Sequence, residues 1–203
     1  ADCETTLRAA LATGATRAIR VDAEDAAIDG TVVAQALAKI VADEKPDLVL
    51  MGKQAVDGDT NQTGQVLAEL LGWPQATFAA TIHEQEGGLL VGREVDGGVL
   101  EVAVKFPAVV TVDLRVVSPT SVYSLKTDKA FKHNEGVRFA PLPAIMQARK
   151  KPLDVKKLAD YVADPKPTIK YLRFEPPPER KAGVKVADVD ELVAKLKDEA
   201  KVL

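Results

Sequence analysis

The chain has 203 residues, a formal net charge of −3 and 46% hydrophobic residues, enough for one full domain with an extension. That charge balance gives no general attraction to nucleic acid or anionic membranes, and no apolar run approaches the roughly 18–20 residues that cross a bilayer. A single cysteine, Cys3, excludes an internal disulfide framework and a multi-cysteine metal site.

The sequence opens on Ala1 and runs directly into ETTLRAALATG, which predicts a helix ended by Gly14. With no initiator Met or targeting-type stretch at that start, further sequence is expected before Ala1. RAIRV (17–21) reads as a short strand. TVVAQALAKIVADE reads as a helix with Val33, Leu37, Ile40 and Val41 on one stripe, closed by Pro46. DLVLM (47–51) reads as a buried parallel strand. Val66, Leu67, Leu70 and Leu71 mark one side of the next helix, which GWP stops, and ATFAATI (76–82) is again a strand. This β-α-β-α-β order predicts an α/β fold, a mostly parallel sheet flanked by helices. GLLVGREV and VLEVAVKF, joined by DGG (96–98), predict a hairpin, and AVVTVDL after Pro107 a buried strand.

Beyond Val117 the pattern loosens. Residues 118–138 are polar and aperiodic and read as a long exposed loop carrying Lys126, Lys129, Lys132 and His133. LPAIMQARKK reads as a short helix with a basic end. Pro165, Pro167 and Pro176 to Pro178 make an extended arm, and VADVDELVAKLKDEA a final helix. That helix has the Asp188/Glu191 spacing of a capping box and a stripe of Val189, Leu192, Val193 and Leu196.

The chemistry concentrates in MGKQAVDGDTNQTGQ (51–65), between a parallel strand and a helix. A phosphate-binding Walker loop needs lysine directly after its second glycine, whereas Gly52-Lys53 opens the segment and Gln54 follows. Asp57, Asp59 and Asn61 have the 1-3-5 spacing of a calcium loop, but its sixth and twelfth positions are Gln62 and Ala68 instead of glycine and glutamate. Two readings stand. One is a nucleotide-phosphate site, with Asn61, Gln62 and Thr63 at a helix N-terminus, Gly52 and Gly64 allowing close approach, and Lys53 as countercharge. The other is an ordinary polar loop before a helix. Trp73 is expected in the core, His83 and His133 at the surface, and Cys3 as an inert thiol. No Ser-His-Asp or paired-carboxylate arrangement suggests bond-making catalysis.

Several blocks together resemble the β subunit of electron transfer flavoprotein: DLVLMGKQAVDGDTNQTGQVLAELLGWPQATFA, REVDGG, FPAVVTVDLR, LPAIMQARKK and the ending RKAGVKV…DELVAKLK. The resemblance spans nearly the whole chain. It implies a Rossmann-like fold with an extended C-terminal arm and helix, and a heterodimer with the family's α subunit. It also implies a bound AMP, an FAD held mainly by that α subunit, acyl-CoA dehydrogenases as electron donors and a membrane quinone oxidoreductase as acceptor. The chain would then be an electron-carrier subunit and not itself an enzyme, working in fatty acid β-oxidation, in the mitochondrial matrix or, if bacterial, in the cytoplasm.

Carried over by the resemblance, AMP would lie against Gly52, Lys53, Gln54, Ala55, Val56, Asp57, Gly58, Asp59, Thr60, Asn61, Gln62 and Thr63. Dehydrogenases would dock on Leu142, Pro143, Ile145 and Met146, with a basic tail at Arg149 to Lys151. The implied organisation is a nucleotide-binding domain over 1–117, an insertion with the docking loop over 118–151, and an arm and helix over 152–203 that contact the partner subunit. Residues 118–138 are additional to the family pattern, and the family's N-terminal strand is not in this sequence. These departures keep open an alternative, a family member recruited as a structural or assembly subunit. An ATP-using enzyme or sensor of the same nucleotide-binding fold class is a third, weaker option.

Overall fold

The structure, a computed structural model, describes residues 2–126, 128, 136, 139–179 and 182–203. The expectations placed on Lys129, Lys132, His133 and Arg138 lie outside the described residues, as do those on Arg180 and Lys181. Residues 1–170 and Tyr171–Leu203 form separate compact units.

In the first unit, α1 (Asp2–Thr13) ends at Gly14, whose φ of +138° suits a residue without Cβ. Strand β1 (Ala18–Asp22) leads through a 3-10 turn to α2 (Gly30–Glu44). Asp29 caps α2, its Oδ1 accepting from Thr31 N at 3.0 Å and Val32 N at 2.9 Å. The sequence stripe of Val33, Leu37, Ile40 and Val41 is only half of what this helix buries. Ala34 packs with Leu67, Ala68 and Val109, while Val32 and Ala36 pack with Leu158 in a second cluster. A helix pressed from two sides carries two stripes, and small alanines fill the nearer one.

Strand β2 (Leu48–Gly52) pairs in parallel with β6 (Ala108–Val112), and β6 pairs in parallel with β3 (Gln75–Gln85). The hairpin of β4 (Gly88–Val95) and β5 (Gly98–Lys105) adds antiparallel to β3. Strand β7 (Val122–Tyr123) pairs in parallel with β3, completing a six-stranded sheet whose core is parallel, as expected from the β-α-β-α-β order. Helix α3 (Thr63–Leu71) connects β2 to β3 and ends at Gly72, φ +63°. Leu67 and Ala68 of α3 and Val109 of β6 are fully or almost fully buried. Full burial of a side chain such as Leu67 stabilises by about 2–3 kcal/mol.

Three expectations change. Among the described residues β2 is an edge strand, with Leu50 55% exposed, because only β6 pairs with it. Strand β1 does not join the six-stranded sheet; it pairs in parallel with β8 (Leu153–Lys157), an element the charged sequence LDVKK concealed. Part of the loop expected over 118–138 is ordered onto the sheet, since Ser121 is buried and its carbonyl accepts from Ile82 N at 2.8 Å.

Helix α4 (Leu142–Ala148) packs against α1 through its buried Ala148. In the second unit the proline-rich segment has no regular secondary structure, and α5 (Val189–Ala194) widens into a π-helical turn over Lys195–Glu199. Asp188 caps α5 by accepting from Glu191 N at 2.9 Å, while the Glu191 side chain reaches back to Ala187 N at 2.7 Å. The capping box therefore closes one residue earlier than the spacing predicts. Val189, Leu192 and Val193 of the expected stripe are exposed.

Candidate functional site

The polar junction runs from the C-terminal end of β2 to the N-terminus of α3, where parallel α/β sheets place ligands. Its first residues belong to the sheet. Lys53 N donates to Val112 O at 3.2 Å, prolonging the β2–β6 ladder. The Lys53 ammonium lies 2.6 Å from Asp113 Oδ2 and 5.1 Å from the centroid of the Phe78 ring. Lys53 therefore spends part of its charge on Asp113 instead of standing free for a phosphate. Asp113, nearly buried, also accepts from Arg115 N at 3.0 Å. The Lys53 hydrogen bond, with that N–H, holds the Asp113 carboxyl below its ordinary range against the opposing effect of burial.

Phe78 reaches Lys53 because the backbone of β3 is bent there. Its φ is +58°, a left-handed conformation uncommon for an aromatic residue, within the β3–β6 register shift between Ala76 and Ala79 and just before the β3–β4 shift between Ala79 and Thr81. Two contacts hold that irregularity. Phe78 N donates to Thr111 Oγ1 at 3.2 Å, and the Arg93 guanidinium grips Thr77, at 2.8 Å to the carbonyl and 2.6 Å to the hydroxyl. Bent backbone of this kind collects beside functional loops. Arg115 forms an ion pair with Glu94 next to this cluster.

The middle of the junction is an exposed turn. Asp59 N donates to Ala55 O at 3.0 Å, and Gln54 Nε2 donates to Asp59 Oδ1 at 2.7 Å. Asp59 and Asn61 have φ of +47° and +43°, a conformation that their short polar side chains tolerate best. Val56, at the tip, is 96% exposed and touches little of this chain. Gly52, Ala55, Asp57, Gly58 and Thr60 are also exposed, whereas Lys53, Asn61, Gln62 and Thr63 are half-buried.

At the helix end the arrangement differs from the N-termini of α2 and α5. Gln62 occupies the N-cap of α3 with φ −126° and makes no side-chain cap hydrogen bond, unlike Asp29 on α2 and Asp188 on α5. The first-turn N–H groups of α3, which have no intrahelical acceptor, are thus open to an oxygen from outside the helix. Gln65, one turn in, donates from Nε2 to Asn61 Oδ1 at 3.0 Å, and its Oε1 is buried without a hydrogen-bond partner. The first turn of α2 comes close as well, since a side chain on Gly30 would meet the Gln62 amide and the Thr63 hydroxyl.

The two glycines have different work from that expected. A Cβ on Gly64 would collide with Thr111 and crowd Met51, so this glycine lets α3 approach the sheet. Gly52 has open space where a Cβ would lie, which leaves room beside the β2 end.

The second group of expected site residues lies on another element. Leu142, Pro143, Ile145 and Met146 are all exposed on α4, Leu142 to 69% and Met146 to 61%, and Phe139 nearby is 91% exposed. Of the other singled-out residues, Trp73 packs beside the α2–α3 cluster, and Cys3 is an exposed free thiol. His83 is not a free surface residue. It is half-buried, packs edge-on against Tyr123 with ring centroids 5.1 Å apart, and its Nε2 is buried without a partner. The sequence reading missed Asp113, Phe78, Thr111 and Gln65. Only Asp113 carried a signal, a lone acid ending the apolar run AVVTVD.

Among the described residues no group of three or more His, Cys, Asp or Glu is placed to hold a metal ion, and no helix is long and apolar enough to cross a membrane.

A mostly parallel sheet flanked by helices, with a polar loop at the carboxyl end of a parallel strand, places the chain in the class of Rossmann-like α/β folds. Residues 1–161 match the family described as "Electron transfer flavoprotein domain". The "Electron transfer flavoprotein subunit beta" of Bradyrhizobium diazoefficiens is 46% identical over 203 residues, covering 100% of this chain and 74% of that protein. The human protein of the same name is 44% identical over 201 residues, 98% of this chain and 72% of its own length. The Arabidopsis thaliana protein, named "Electron transfer flavoprotein subunit beta, mitochondrial", is 42% identical over 203 residues, with 99% and 73% coverage. The chain belongs to the electron transfer flavoprotein family, whose members carry electrons on a flavin, and its relatives are β subunits.

Proposed function

We propose that the chain is the AMP-holding β subunit of a heterodimeric electron carrier. The observation that carries this reading is the polar 52–63 junction ending at the uncapped N-terminus of α3, in a chain of this family. AMP carries one phosphate, and a single anion suits open N–H groups at a helix end. Asn61, Gln62 and Thr63 are placed beside those groups, while Asp57 and Asp59 on the exposed turn disfavour a more highly charged polyphosphate. The unpartnered Gln65 Oε1 leaves an acceptor available near Asn61. Residues 52–63 thus fit a nucleotide monophosphate, with Lys53 acting mainly through Asp113.

The partner is an α subunit that holds most of the FAD, which supplies the redox chemistry when bound. Electrons enter from acyl-CoA dehydrogenases docking on Leu142, Pro143, Ile145 and Met146 and leave to a membrane quinone oxidoreductase. An exposed leucine beside the exposed Arg149 and Lys150 suits a transient interface, an apolar plug steered by flanking charge. In this reading 1–117 binds nucleotide, 118–151 presents the docking surface and 152–203 contacts the α subunit. The compartment is the mitochondrial matrix, or the cytoplasm of a bacterium.

The test is flavin reduction in the purified heterodimer by an acyl-CoA dehydrogenase and its substrate. Rapid reduction is expected. A complex that contains FAD yet accepts no electrons from any acyl-CoA dehydrogenase would move the chain to a structural or assembly role.

A further inference from the structure

Helix α4 has only seven residues, too few for independent helical stability, and its N-cap Pro141 makes no side-chain cap hydrogen bond. Its exposed apolar residues face solvent, so its position must be set from the other end. Two cations on that end make a reciprocal clasp. Arg8, on α1, donates from Nη1 to Ala148 O at 3.0 Å and to Lys151 O at 2.9 Å, just where α4 stops. Lys151 in turn donates from Nζ to Leu11 O and Ala15 O, both at 2.7 Å, where α1 stops. Each helix therefore has its C-terminal carbonyls and its negative dipole end met by a cation belonging to the other segment. Ala148, buried against α1, is the packing contact between them. The partners are about 140 residues apart in sequence, which no local pattern reveals.

We propose that Arg8 and Lys151 are positioning residues for partner docking: they hold α4 so that Leu142, Ile145 and Met146 stand preformed on the surface. The proposal rests on the docking reading above and adds to it how the short helix is held. A helix held by its end pays no ordering cost when a partner arrives, whereas a released one does. The effect belongs in recognition of the dehydrogenase, not in the flavin or the nucleotide.

The experiment compares Arg8→Met, Lys151→Met, Arg8→Lys and Leu142→Ala in the flavin-loaded heterodimer, titrated against an acyl-CoA dehydrogenase. Each methionine variant is expected to raise the half-saturating concentration about 3- to 10-fold with the limiting rate within about 2-fold of wild type. Arg8→Lys, which keeps a cationic donor, is expected to recover most of that loss. Nucleotide and flavin content stay at wild-type levels, and amide exchange quickens only over 142–151 and the end of α1. If Leu142→Ala leaves half-saturation unchanged, the docking reading itself fails. If Leu142→Ala weakens coupling but the methionine variants do not, the clasp proposal is overturned. Loss of nucleotide and flavin, or faster exchange across the whole sheet, would also overturn it by making the clasp a support of the general fold.

Discussion

Lys53 is the residue whose reading changed most. A lysine after Gly52 invites a phosphate, yet its ammonium sits on a nearly buried carboxylate and over an aromatic ring. A buried carboxylate that loses its cationic partner costs more than the pair contributes, because the Arg115 N–H that remains offsets only part of the desolvation of Asp113. Lys53→Met is therefore expected to destabilise the protein by about 1–3 kcal/mol in urea titration at neutral pH, less than for a deeply buried pair because Lys53 is partly solvated. The double variant with Asp113→Asn should recover part of the loss. If Lys53→Met alone leaves stability unchanged but releases nucleotide, the lysine is a direct phosphate contact instead. The sequence showed this residue but not its partner, since Asp113 lies 60 positions away and is brought beside it by the parallel register of β2 and β6.

The elements differ in how plainly the sequence shows them. α1, α2 and α3, the hairpin of β4 and β5, and the run of β6 carry strong periodic or apolar patterns and stand close to where those patterns put them. Strand β8 escaped because LDVKK has the polarity of an exposed segment; its pairing with β1 is a tertiary fact. The edge status of β2 escaped for the same reason, since DLVLM has the composition of a central strand. Helix α2 illustrates how a cap joins distant segments. Asp29 caps it and also accepts from Thr168 through both the amide, at 2.5 Å, and the hydroxyl, at 2.7 Å. Burial, the largest single influence, pushes the Asp29 carboxyl up, but hydrogen bonds from Val32, Thr168 and Ile169 together lower it from 3.8 to about 2. A carboxyl with a depressed folded-state pKa stabilises fully above its unfolded value and loses that contribution as pH falls through the folded one. Stability should therefore decline between about pH 4 and pH 2 through Asp29, and Asp29→Asn, which keeps a capping oxygen, should flatten that part of the curve. A denaturation series over this range with parallel curves for the two proteins would remove Asp29 from the acid response.

At the scale of the whole molecule, the fold presents its polar loop and the helix proposed for docking on separate elements. The loop hangs from the parallel sheet between β2 and α3, while α4 is carried by α1. In the proposed reading, that separation lets a nucleotide be held without involving the surface a partner visits. The loop's identity as a strand-to-helix junction was legible from the apolar runs on either side. The open state of α3's N-terminus was not, because Asn61, Gln62 and Thr63 are all residue types that could cap it, and in the fold Asn61 is engaged by Gln65 instead. The central claim is that residues 52–63 hold AMP, and the most direct measurement is the nucleotide released when the purified, flavin-loaded heterodimer is heat-denatured. AMP and FAD are expected in equal amounts, with AMP lost selectively when Asn61 and Thr63 are both replaced by alanine. A supernatant containing FAD but no AMP would contradict it.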